Sequence, residues 1–326
     1  MRMLSFAMPL AFVAAAPFAL PDYYIVVLNY IGLACLTVIG LVLLTGSAGI
    51  TSFGQAAFVG IGAYATGYIT SKLGYSPFLG LVAGAAITAF AAFVIGAATL
   101  RLSGHYLALS TIAWGISLFF VFGNVDALGG HTGMSGIPPI RVGSVSFENT
   151  GTMFWLISAM VLLAFFATNN ILNSRVGRAL RALKTNPLTA ESFGVDTAKE
   201  KISIFVYAAL LSSVSGWLYA HFARFVNPTP FGLNAGVENQ FMAVIGGVNS
   251  VWGALIGSSI VLVTKEYLQT TLPAIIGSGG NFEIIIFGIL VLVLLQINQD
   301  GGISSLFARR KRSKPCLLYT SPSPRD

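Results

Sequence analysis

Between residues 173 and 201 the chain reads NSRVGRALRALKTNPLTAESFGVDTAKEK, the one interior stretch where ionisable side chains crowd together. Arg175, Arg178, Arg181, Lys184, Lys199 and Lys201 stand against Glu191, Asp196 and Glu200. The chemistry such a set offers is recognition of a partner surface rather than bond making. Val176, Ala179, Leu180 and Leu183 recur at helical spacing and place the basic side chains on the opposite face. Asn186-Pro187 then offers an N-cap with proline at the first helical position, and Gly194 can close the segment in a left-handed C-terminal cap. A helix of about two turns is marginal alone and is expected to dock against something.

Other chemistry is thinly supplied. There is no G-x-x-x-x-G-K-[ST], so the chain has no P-loop of its own for ATP, and H-E-x-x-H, paired CxxC and G-x-S-x-G are all missing. Gly60-Ile61-Gly62 begins a dinucleotide-like fingerprint, but Ala65 ends it inside an apolar run, which favours helix packing. His105, His131 and His221 are far apart, and Cys35 and Cys316 imply no disulfide framework. Neither a metal nor a cofactor is expected in this chain, and an enzyme is not. Asp22, Asp126, Glu148, Glu238, Glu266, Glu283 and Asp300 are read as lying in loops or near span ends, which weakens ion-coupled transport. Uncharged polar groups gather instead at two glycine-rich breaks. Thr51, Ser52 and Gln55 at the first, and Asn239 and Gln240 before the second, could line a path for a zwitterionic solute; packing by small residues is the plainer alternative there.

The elements that must position these groups are membrane spans. Charged residues make up 9% of the 326 and apolar ones 55%, with mean hydropathy +0.80; a soluble domain carries about 25% charged residues. The expected fold is all-α and polytopic, with about eight to ten spans of roughly 20 residues each. Residues 1–20 describe either a cleavable signal or a first retained span, and Pro9 and Pro17 fit the second as a kinked helix. Further spans are read near 24–44, up to 71 after the first break, 77–100, 105–122, 153–168 and 202–222, and a final one at 282–297. The 241–263 run is broken by Gly246, Gly247, Gly253 and Gly257, and 267–276 is too short to span, so a broken, partly re-entrant passage is expected. Gly80 to Gly84 reads as packing.

Orientation follows the basic residues. Placing 173–201 in the cytoplasm also puts Arg2 and Arg101 there, and leaves Lys72, Arg141 and Arg224 outside. The formal charge of +7 is concentrated in that loop and in 309–314, as at cytoplasmic flanks, so nucleic acid is not the expected partner. Residues 1–300 read as the membrane domain and 301–326 as a basic cytoplasmic tail. From Ser313 the composition changes abruptly, so that end is expected to be disordered, with a non-native extension left open.

Five stretches carry a family resemblance: SAGITSFGQAAFVGIGAY (47–64), GHYLALSTIAWG (104–115), GHTGMSGIP (130–138), SRVGRALRALKTNPLTAESFGVDTAKEK (174–201) and NQFMAVIGGVNSVWGALIGSSIV (239–261). In this order they resemble the M-type permease subunits of branched-chain amino-acid ABC importers in the bacterial inner membrane. The family often has an acidic residue where this chain has Thr185-Asn186-Pro187. The resemblance implies two nucleotide-binding ATPase subunits that use ATP and Mg, a second permease subunit and a periplasmic solute-binding protein. It implies that residues 187–194 fit a groove on the ATPase. Arg178, Pro187, Ala190, Glu191 and Gly194 are the residues carried over to that coupling role. Glu191→Lys is then expected to weaken ATPase association and spare membrane insertion. Branched-chain amino acids are the default solute, with other amino acids, urea and short amides also within the resemblance. A stand-alone channel and an ion-coupled transporter are the competing classes.

Overall fold

The computed structural model describes residues 20–102, 104–143 and 145–276, together with the isolated positions 17, 288, 289 and 296. The expected spans at 1–20 and 282–297 and the tail at 301–326 lie outside the described residues.

Helix α1 (Asp22–Val42) runs on through a π-helical turn, Leu43–Ala48, and stops at Gly49, whose φ is +68°. After the break, α2 (Gln55–Gly67) continues into a second π turn, Tyr68–Lys72. Then come α3 (Pro77–Thr99), α4 (His105–Asn124), α5 (Thr150–Asn173), the short α6 (Arg175–Thr185) and α7 (Pro187–Ser192), and the long α8 (Thr197–Ala223). The described part closes with α9 (Leu233–Gly246) and α10 (Val251–Ile276). Two small ribbons order the loop after α4: β1 (Met134–Ser135) pairs antiparallel with β4 (Phe225–Val226), and β2 (Arg141–Val142) with β3 (Val145–Ser146).

Among the described residues, six helices are long and apolar enough to cross a membrane: Asp22–Ala48, Pro77–Thr99, His105–Asn124, Thr150–Asn173, Thr197–Ala223 and Val251–Thr271. The all-α, polytopic expectation holds. Successive spans run up and down, so Arg101 falls at the α6–α7 end while Lys72, Arg141 and Arg224 fall at the far end. Helix α9, at 14 residues, is about 21 Å long and too short to cross by itself. It returns through Gly247–Ser250 into α10. The broken passage is therefore present, but its boundaries differ from those read in the sequence. Residues 267–276 are the end of one continuous helix, because Gly253 and Gly257 sit inside α10 as packing residues rather than breaks.

The centre of the bundle is α2. Nearly all of its residues are buried, clasped by α8, α3 and α4. Only small residues allow that approach. A Cβ added to Gly62 would lie 2.3 Å from the Ser213 carbonyl oxygen, and one at Gly216 would lie 2.0 Å from that of Val59. Gly60-Ile61-Gly62 is thus a packing element, as is Gly80, which seats α3 on Thr66 of α2. In lipid, where apolar burial gives helices little reason to associate, such contacts supply the dispersion energy that holds them.

Candidate functional site

The charged loop folds back on the bundle as two helices. A Cβ at Gly177 would meet the Leu172 carbonyl at 2.2 Å, so glycine is what lets α6 turn so sharply off α5. Leu180 and Leu183 are buried, anchoring the apolar face that their spacing predicts. Three of the four basic side chains of α6 are engaged. Arg181 donates to the Leu172 carbonyl at 3.0 Å, Arg178 to that of Asn173 at 3.5 Å, and Lys184 to that of Gly46 at 2.8 Å. The first two acceptors are the last carbonyls of α5, and the third lies in the final turn of the α1 segment. Helix C-termini expose such unpaired oxygens at the negative end of the macrodipole, where a cation is favoured. Lys184 thus straps the charged loop to the first glycine break. Lys184→Met removes a charge-assisted bond at an exposed site, about 1 kcal/mol. Amide exchange across residues 46–54 is expected to rise about fivefold, as read by mass spectrometry.

Helix α7 is closed at both ends as its sequence predicts. Asn186 Oδ1 accepts from the Leu188 and Thr189 amides at 3.0 and 3.3 Å, with Pro187 at the first helical position. At the other end Val195 N donates to Ala190 O at 3.1 Å and Gly194 N to Glu191 O at 2.9 Å, with Gly194 at φ +80°. This double bond pattern with a left-handed glycine is the Schellman motif. Gly194→Ala forces a side chain into the left-handed region at about 1–2 kcal/mol. It should open residues 187–195 to proteolysis in membranes without changing the yield of inserted protein.

The side chains proposed for coupling divide their labour. Ala190 is buried against the bundle, and Glu191 accepts a 2.6 Å bond from the Thr197 hydroxyl, bracing α7 to the start of α8. The outward surface is formed by Leu188 and Phe193, 75% and 84% exposed. The sequence reading missed this pair. The available signal was two large apolar residues lying beyond the Val176–Leu183 stripe and outside its helical spacing.

Of the residues read as lining a path, Ser52, Gln55 and Gln240 are buried and Thr51 is half-buried. Gln240 Nε2 donates to Thr45 Oγ1 at 3.2 Å, and Gln55 Oε1 accepts from Ser212 Oγ at 3.1 Å. Among the described residues Ser52 Oγ, Gln55 Nε2 and Gln240 Oε1 have no hydrogen-bond partner. The two glycine breaks meet directly: a Cβ on Gly46 would lie 1.7 Å from the Val248 carbonyl oxygen. That seam, with Gln240 bonded to Thr45 beside it, has a cavity toward each end of the bundle. One of about 720 Å³, at the α6 end, is lined by Ser47, Asn169, Asn173, Arg181, Asn249 and Trp252 among others. The other, of about 460 Å³, lies toward the far end between α1, α9 and α10, and Asn239 is on its wall.

Glu238 lies in the second turn of α9, and Lys265 and Glu266 lie in α10 within six residues of the end of the span Val251–Thr271, level with the start of α1, so these carboxylates sit near span ends as the sequence reading has them. Lys265 Nζ contacts Glu238 Oε2 at 2.8 Å and Oε1 at 3.0 Å, and Tyr23 donates to Glu266 at 2.5 Å. A charge inside a membrane helix is costly, less so near its ends, and persists where it is paired or faces a cavity. Here it does both. His221, the one histidine buried in the bundle, hydrogen-bonds the Pro138 carbonyl at 2.7 Å, fixing the loop after α4.

An up-and-down bundle of apolar helices, closed at a glycine seam between two polar-cornered cavities, is a multi-pass membrane protein. Residues 23–294 match the family described as "Branched-chain amino acid transport system / permease component", and the chain belongs to that family. Over 255 residues it is 25% identical to the high-affinity branched-chain amino acid transport system permease protein LivM of Escherichia coli (strain K12), covering 71% of this chain and 60% of that protein. The "Probable branched-chain amino acid transport permease protein LivM" of Methanocaldococcus jannaschii is 25% identical over 324 residues, 86% of this chain and 93% of that one. The LivH permease protein of Salmonella typhimurium is 32% identical over 152 residues, 47% of each. The chain thus spans 60% of the length of the LivM proteins of E. coli and S. typhimurium. No solved structure matches it.

Proposed function

We propose that this chain is one membrane-spanning half of an ATP-driven importer that passes branched-chain or related amino acids across the bacterial inner membrane. The observation that carries this reading is α7, a short, doubly capped helix that exposes Leu188 and Phe193 and is tied through Lys184 of α6 to the first glycine break. Two ATPase subunits, using ATP and Mg, would receive α7 in a groove, and closure of that pair would push on α6 and so on the seam. A second permease subunit would complete the path, and a periplasmic binding protein would deliver the solute. The excess of Arg and Lys at the α6–α7 end supports a cytoplasmic position for that end by the positive-inside rule, and on this reading the basic 301–326 stretch would share it. Affinity purification of the tagged chain from native membranes tests this. Two ATPases and a second permease are expected to accompany it; recovery of the chain alone in mild detergent counts against the reading.

Glu238 and Glu266, on the wall of a cavity, favour a second reading in which an ion gradient drives transport. Uptake in vesicles separates the two. The importer stops when ATP is withdrawn and survives collapse of the proton and sodium gradients; a coupled carrier does the reverse.

A further inference from the structure

We infer that the far cavity is a station for the amino-acid zwitterion itself, with Glu238 and Lys265 as its recognising pair. The inference rests on the permease reading above. The cavity, about 460 Å³, falls within the range of small-molecule sites, which pair an apolar wall with a few convergent polar groups. Its wall includes Leu33, Ala34, Val59, Phe231, Met242 and Leu262, and its polar corner gathers Glu238, Lys265 and Glu266. A solute that satisfies both parts has a charged head of each sign and an apolar side chain.

The corner is built to exchange partners. Lys265 and Glu238 satisfy one another at 2.8 Å, with side chains 40% and 17% exposed. The more open lysine is the natural landing point for a carboxylate. Glu238 and Glu266 supply two negative charges against one positive, so an arriving ammonium group is attracted and a bare anion is not. When a zwitterion enters, its carboxylate takes Lys265 and its ammonium takes Glu238, so every charge keeps a partner. Tyr23 holds Glu266 in place. A solute with a charged side chain would leave that charge facing Leu33, Met242 and Leu262, which sets the preference for neutral, apolar side chains.

The test uses the full chain with its co-purified partner subunits in nanodiscs, without binding protein, and reads displacement of [3H]leucine by leucine, leucinamide and 4-methylvalerate. For the wild type, leucine is expected to compete at least tenfold better than the amide, which lacks the carboxylate, or the acid, which lacks the ammonium. Lys265→Met should erase the preference for leucine over leucinamide, and Glu238→Gln the preference over 4-methylvalerate. Lys265→Arg should keep both within about threefold, and the exchanged pair E238K/K265E guards against simple misfolding by restoring an ion pair. If the pair only holds α9 to α10, binding and thermal stability fall together in the single variants while the preferences stay unchanged, and the proposal is overturned. Equal competition by all three compounds in the wild type overturns it too. Because displacement needs no turnover, failure of ATP-driven uptake would count against the permease reading alone and leave the site to be decided by these ratios.

Discussion

Replacing Leu188 and Phe193 together by aspartate is expected to abolish ATP-dependent uptake while leaving the chain inserted and folded. Both side chains point away from the bundle, so the change removes nothing from its core. The caps of α7 come from Asn186 and from the Gly194 turn, and neither is touched. On the proposed reading, what is lost is the apolar anchor of the ATPase contact. Anchors of this kind contribute about 2 kcal/mol or more each when seated in a pocket. Loss of two, with carboxylates left against the partner, should weaken association by a factor on the order of a thousand. Co-purification from membranes and ATP-driven uptake should fall together, while the melting temperature of the purified chain stays within a degree or two. Uptake that survived the double substitution would remove α7 from the transmission route. Leu180→Asp offers the contrast: it buries a charge under α6 and should cost folding itself.

The other large effect is expected at the crossing of α2 and α8. Gly216→Val would drive a side chain into the Val59 carbonyl, 2.0 Å from the new Cβ, and toward the Ala63 amide at 2.8 Å. Both obstacles are backbone and cannot swing aside, so the helices must part. Overpacking costs about 1–3 kcal/mol where a core can relax; here the contact lies in the most buried helix of the bundle, and the upper end or beyond is expected. Monodisperse protein should be lost in detergent size exclusion. Gly115→Ala on α4 serves as control. Its new methyl group would sit 3.5 Å from Gly54 Cα, an ordinary contact, and alanine favours the helix by about 1 kcal/mol. Equal behaviour of the two variants would contradict the packing account.

Much of the architecture was legible because lipid leaves a chain few options. A run of apolar residues long enough to cross must be helical, since its backbone has no water to bond. The ends of α7 were equally plain, because Asn186-Pro187 and Gly194 act through bonds to neighbours a few residues away. Less visible was the role of the basic residues on α6. Their face of the helix follows from spacing, but the carbonyls of Leu172 and Gly46 that they bind belong to other segments. The 251–276 helix was misjudged for a related reason. Gly253 and Gly257 read as breaks by composition, yet they continue the helix because Gly246 and Met242 pack against them.

By itself, then, the sequence determined that this is a bundle of membrane helices with a capped, charged loop and two glycine breaks, because local bonding and hydropathy decide those features. Tertiary structure alone decided that the two breaks close on each other at Gly46 and Val248, that Ser52, Gln55 and Gln240 are buried, and that Glu238 pairs with Lys265 on the wall of a cavity. Those pairings join residues far apart in the chain. Neither composition nor period records which distant helices touch; the fit of small residues between packed backbones does.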